Sequence, residues 1–116
     1  MRQWLVDPKI MCRKHLLGEH VEHHMIIGSI TRKKNIDGFL KNNLLEPRSL
    51  QRRHQELADE MENRGYTHKS PLIVCIEGLT ATQKNWVIDK EDAVKELLRR
   101  CPECRGRYDK SYTKIS

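Results

Sequence analysis

Apolar residues recur at helical spacing in three stretches of the chain. Between about residues 9 and 31, Leu16, Leu17, Ile26, Ile27 and Ile30 follow that spacing, with no proline and only Gly18 before Gly28. This predicts the longest helix. The pair Asp7-Pro8 before it suits a turn and a helix start. A second helix is predicted in LEPRSLQRRHQELADEMENRGY, opened by Pro47 or Ser49. Leu50, His54, Leu57 and Met61 make its inward stripe, and Gly65 is its natural stop. The third starts at Asp89, a good N-cap, and runs to Arg99-Arg100 with Ala93, Val94, Leu97 and Leu98 apolar.

Between these lie weaker signals. Residues 36–41 suit a short helical turn, and residues 66–88 read as loop. The apolar run PLIVCI is too short to assign by period, and a lone strand would make no sheet. The segment after Cys104 is polar and basic. The expected fold is mainly α: a compact single domain over residues 1–116, with about three main helices. The N-terminal segment packs between them, anchored by Trp4, Leu5 and Val6. Trp4 is a wedge for a duplex or a buried anchor, and the anchor is expected.

Composition narrows the function. Of 116 residues, 37% are hydrophobic and 33% charged, which leaves a thin core under a charged surface. A net charge of +6 favours an anionic partner such as nucleic acid. No stretch approaches the roughly 20 apolar residues of a membrane span. The opening shows no signal-peptide pattern, so a cytoplasmic protein of a bacterial or viral system is expected, with reduced cysteines.

The first helix carries the densest chemistry, in KHLLGEHVEHH. At about 100° per residue, His15, Glu19 and Glu22 lie within roughly 60° of one another. A histidine and two carboxylates on one half-buried face suit proton transfer or stabilisation of a cation. The same residues equally suit ordinary solvated helix pairs. His20 with His24, or Glu19 with His23, stand at a spacing that can chelate a metal, but no third ligand is evident. Cys101-Pro-Glu-Cys104 is half of a zinc site. Cys12-x-x-His15 is a possible other half, which would withdraw His15 from catalysis. Otherwise Cys101 and Cys104 are reduced thiols capping the last helix, and no metal or organic cofactor is expected.

Three stretches together resemble the pyrimidine-dimer DNA glycosylase/AP lyase family, typified by a small phage endonuclease. They are MRQWLVDPKIMCRKHLLGEHVEHHMIIGSI, LEPRSLQRRHQELADEMENRGY and THKSPL. The most specific part is H-L-x-x-E-x-x-E, here His15, Leu16, Glu19 and Glu22. The resemblance implies a helical DNA-repair enzyme that uses its N-terminal α-amine as nucleophile and a helix glutamate as essential carboxylate. It places these on Met1 and Glu22, with Arg2 and His15 beside them and the family's late-helix glycine on Gly28. Bulky Arg2 disfavours removal of Met1. Two DNA-gripping arginines of the family fall on Val21 and Met25, and its helix tyrosine falls on His20.

The implied reaction is glycosylase and lyase chemistry through a Schiff base: base excision, most simply of a pyrimidine dimer, followed by a strand nick. The expected partner is damaged double-stranded DNA, bound by a monomer. Glu19, His20, Arg32 and Lys33 complete the expected supporting set, and Arg13, Lys14 and Lys34 are further phosphate-contact candidates. Two alternatives stand: a non-catalytic DNA-binding module on the same fold, or a small zinc-binding interaction protein.

Overall fold

The computed structural model describes residues 2–67 and 72–113, the side chains of the last two excepted. Six α-helices stand among them: α1 (Arg13–Thr31), α2 (Asp37–Lys41), α3 (Leu50–Asn63), α4 (Ala81–Lys84), α5 (Lys90–Arg100) and α6 (Pro102–Thr113). No strand occurs among the described residues. The mainly α expectation holds, with a fourth long helix where the polar tail was expected.

The boundaries follow local chemistry. Asp7 accepts a hydrogen bond from the Lys9 amide and closes a single 3-10 turn at Pro8–Ile10. Met11 and Cys12 then return to extended backbone, so α1 begins at Arg13 rather than near residue 9. Pro47–Ser49 forms another such turn and leads into α3. Gly65 ends α3 at φ +85°, a conformation that favours glycine. The Tyr66 amide donates to the Met61 carbonyl, as in a Schellman stop. Asp89 caps α5 through the Asp92 amide, as expected.

Residues 72–76 have no regular secondary structure and no partner strand among the described residues. Gln51 stands in for one: its side chain donates to the Leu72 carbonyl and accepts from the Val74 amide. Val74 and Ile76 face inward while Ile73 is 89% exposed.

Two apolar clusters result. The larger joins Trp4, Val6, Ile10, Met11 and Leu16 to Leu57 and Met61 of α3 and Leu97 of α5. The smaller gathers Ile26 and Ile30 with Ile36, Leu40, Leu45 and Leu50. The N-terminal segment threads between α1 and α3, so Trp4 is a buried anchor rather than an exposed wedge. No helix of the described residues is long and apolar enough to cross a membrane.

Candidate active site at the N-terminal segment

The N-terminal segment is held by polar bonds as much as by apolar contacts. The Gln3 amide donates to the Leu44 carbonyl at 2.7 Å. The fully buried Gln3 side chain accepts from the Glu46 amide at 2.5 Å and donates to Ser49 Oγ at 3.1 Å. Its amide nitrogen also lies 3.3 Å from His23 Nε2. His23 Nδ1 is 2.8 Å from the Glu19 carbonyl oxygen, which can only accept. Nδ1 therefore carries the proton, and Nε2 accepts from Gln3. Burial pushes the His23 imidazole below its usual range, which keeps this neutral tautomer.

This anchoring sets Arg2 against Glu22. The Arg2 backbone amide donates to Glu22 Oε2 at 3.2 Å. The Arg2 guanidinium turns back over the Trp4 ring, 3.7 Å from its centroid. Burial, then the charge of Arg100, push that guanidinium below its usual pKa. Arg2 also lines a cleft of about 560 Å³ together with Asn43, Leu44, Ala93, Glu96 and Arg100. Met1 lies outside the described residues.

The remaining expected residues separate. Glu19 is buried, and Arg53 binds both its oxygens, Nε at 2.6 Å and Nη2 at 2.9 Å. Arg53 Nη1 donates to the Val6 carbonyl at 2.6 Å. Glu19 thus ties α1 to α3 and to the N-terminal segment instead of facing the surface beside Glu22. His15 turns toward sulphur: its Nδ1 lies 3.1 Å from Cys12 Sγ and 3.7 Å from Cys104 Sγ. Burial, then Lys14, push its imidazole down. His20 is buried beside His24 and His54, with ring centroids 4.7–5.3 Å apart. Its i, i+4 pair with His24 thereby gains the third imidazole that the sequence did not reveal.

Arg32 and Lys33 are exposed at the C-terminal end of α1, as is Lys34. Val21 and Met25, on the outer face of α1, are 55% and 51% exposed. Sequence reasoning missed Gln3 and Arg53, and offered His23 only as a metal-chelating partner of Glu19. Arg53 left one trace, a charge on the apolar stripe of α3 three residues after Leu50.

A model of the pyrimidine dimer DNA glycosylase family matches residues 1–74. That span contains α1, α3, Glu22 and the N-terminal segment. The chain belongs to the pyrimidine dimer DNA glycosylase family. No curated protein and no solved structure matches it. The match makes the chain a DNA-repair glycosylase in general terms. α5, α6 and the cysteine pair Cys101 and Cys104 lie beyond the matched residues.

Proposed function

We propose that this glycosylase excises a damaged pyrimidine from double-stranded DNA and nicks the strand, using the α-amine of Met1 and the carboxylate of Glu22. The observation that carries the reading is the 3.2 Å bond from the Arg2 amide to Glu22 Oε2. Three covalent bonds, together spanning at most about 4 Å, join the Arg2 nitrogen to the preceding α-nitrogen. A carboxylate fixed on the Arg2 amide is therefore at most about 7 Å from the amine that would attack.

An α-amine has a pKa of about 7.7–8.0, so a useful fraction is neutral and nucleophilic near pH 7 without special tuning. Its lone pair forms a bond to C1′ while the bond from C1′ to the base breaks. The base leaves with the glycosidic electron pair and takes a proton. Ring opening at O4′ yields an iminium ion between the amine and the sugar, and Glu22 stabilises that cation. Loss of a proton from C2′ drives cleavage of the C3′–O bond, and the 3′-phosphate departs. Regeneration of the amine consumes one water. Arg2 in the cleft, and Arg32 and Lys33 at the end of α1, are suited to phosphates. The protein acts as a monomer on a duplex carrying a pyrimidine dimer.

Borohydride reduction during reaction with a dimer-containing or abasic duplex should trap a covalent complex, and peptide mapping should place the adduct on the α-nitrogen of Met1. Glu22→Gln keeps an oxygen acceptor for the Arg2 amide. It should bind the duplex normally while trapping and nicking fall by about 100-fold or more. Tight binding without any trapped species in the unaltered protein would leave a non-catalytic DNA-binding module. An adduct on a lysine would move the nucleophile.

A further inference from the structure

We infer that Cys12, His15, Cys101 and Cys104 form a structural zinc site that fastens the C-terminal helices to the start of α1. The four donor atoms lie within 4.8 Å of one another. Cys12 Sγ is 3.7 Å from Cys101 Sγ, His15 Nδ1 is 3.1 Å from Cys12 Sγ, and it is 3.7 Å from Cys104 Sγ. A tetrahedron with Zn–S bonds of about 2.3 Å and a Zn–N bond of about 2.05 Å has edges of about 3.5–3.8 Å. These three separations lie within about half an ångström of those edges, and the other three are no longer than 4.8 Å. They are far longer than the roughly 2.05 Å of a disulfide.

The backbone around the donors has the same logic. Cys12 is the N-cap of α1, and His15 stands in that helix's first turn. Cys101 immediately precedes α6, accepts at its carbonyl from the Arg105 amide, and Cys104 stands in the first turn of α6. Two helix N-termini thus converge on one point, each contributing donors three residues apart. Amides already donate to sulphur: Cys12 N–H to Cys104 Sγ at 3.2 Å, and Cys104 N–H to Cys101 Sγ at 3.4 Å. Such bonds orient and stabilise thiolate ligands around a metal. Three thiols and one imidazole are a borderline-soft donor set that suits Zn2+ and leaves no open position for chemistry.

Binding of Zn2+ releases three thiol protons to solvent and changes no oxidation state. Its place in the fold explains what it would do. Cys12 and His15 belong to the part of the chain that matches the glycosylase family, whereas Cys101 and Cys104 lie outside it. The Trp4 and His15 rings meet at a steep angle of 79°, with centroids 5.9 Å apart. The metal would therefore clamp α5 and α6 onto the helix and aromatic anchor that hold the N-terminal segment. Cys75 is exposed and takes no part.

The test is metal analysis of the full chain purified without chelator. About one zinc per chain is expected, falling below about a tenth in the Cys101→Ser, Cys104→Ser double variant. His24→Gln disables the histidine trio and should retain the zinc. Cobalt substitution should give thiolate-to-cobalt charge-transfer absorption. A second measurement covers misfolding of the double variant. In the unaltered protein, alkylation should reach Cys75 alone, and all four cysteines after chelation, together with a lower Tm. Three results would overturn the site. One is a cooperatively folded, zinc-free protein whose Tm and thiol reactivity ignore added zinc. Another is zinc lost with His24 but kept without the cysteine pair. The last is an intrachain disulfide among Cys12, Cys101 and Cys104.

Discussion

Glu19→Ala should unfold this protein far more readily without touching the amine or Glu22. Both members of the Glu19–Arg53 pair have side chains at most 1% exposed. Removing Glu19 leaves the Arg53 guanidinium buried, with the Val6 carbonyl, the Met11 sulphur and, at 3.8 Å, the partly exposed Glu56 carboxylate as its remaining contacts. Breaking such a pair from one side costs about 3–5 kcal/mol, because the abandoned charge keeps its desolvation penalty. A domain of this size has a total stability of about 5–15 kcal/mol. The midpoint of thermal unfolding should therefore drop by about 10–25 °C. Urea and thermal denaturation followed by circular dichroism measure this directly. Replacing both partners, Glu19→Leu with Arg53→Met, removes the stranded charge and should recover much of the loss. The reasoning is refuted if Glu19→Ala stays within about 1 kcal/mol of the parent. It is equally refuted if the double variant is no better than the worse single one. A well-folded double variant that no longer nicks DNA would give Glu19 a chemical role beside Glu22.

Two further outcomes are expected. Burial depresses the His23 pKa in the folded state, so below about pH 6.5 the unfolded chain takes up a proton that the native state refuses. Stability contributed above the unfolded value is then lost as pH falls, by at most about 1.4 kcal/mol per pH unit, until the pH passes the depressed native value. Urea melts between pH 7.5 and 5.5 should show the fall and His23→Asn should flatten it, whereas a flat profile in the parent would contradict the buried neutral imidazole. Arg32→Gln with Lys33→Gln should weaken duplex binding irrespective of sequence and lower the slope of log K against log salt by up to about 1.8; an unchanged slope would remove both residues from the DNA interface.

The long elements were legible because their signals are local. Asp89, Pro47 and Gly65 mark helix ends through caps, a fixed φ and a positive φ, which a few neighbouring residues decide. α6 was missed because its sequence, PECRGRYDKSYT, has no apolar stripe to reveal a helix. Its attachment to the fold runs through Cys104 and Tyr108, which only the folded chain brings to the main cluster. The face of α1 was misjudged for a related reason. Glu19, His20 and His23 are polar, yet they are buried alongside Leu16, Ile26 and Ile30. Their partners, Arg53, His54 and Gln3, come from α3 and the chain start. A pattern of polar and apolar positions cannot show pairing across 20 or 34 residues of sequence.

That polar interior has a consequence for the candidate site. Apolar burial of Trp4 and Val6 holds the N-terminal segment in the core, but the hydrophobic effect is non-directional and tolerates small shifts along the chain. Hydrogen bonds do not tolerate them, since their strength falls steeply with distance and angle. Gln3 makes four polar contacts, to Leu44, Glu46, Ser49 and His23, drawn from two separate parts of the chain, residues 44–49 and α1. Arg53 adds a fifth restraint at the Val6 carbonyl. A slip of one residue would break all of them and strand buried polar groups at a cost of about 1–3 kcal/mol each. The restraints flank Arg2, whose amide meets Glu22. A reaction that depends on where a chain terminus sits gains more from such directional bonds than from a larger apolar core. On the proposed mechanism, the buried polar residues of α1 therefore fix the register of the segment that would carry the amine.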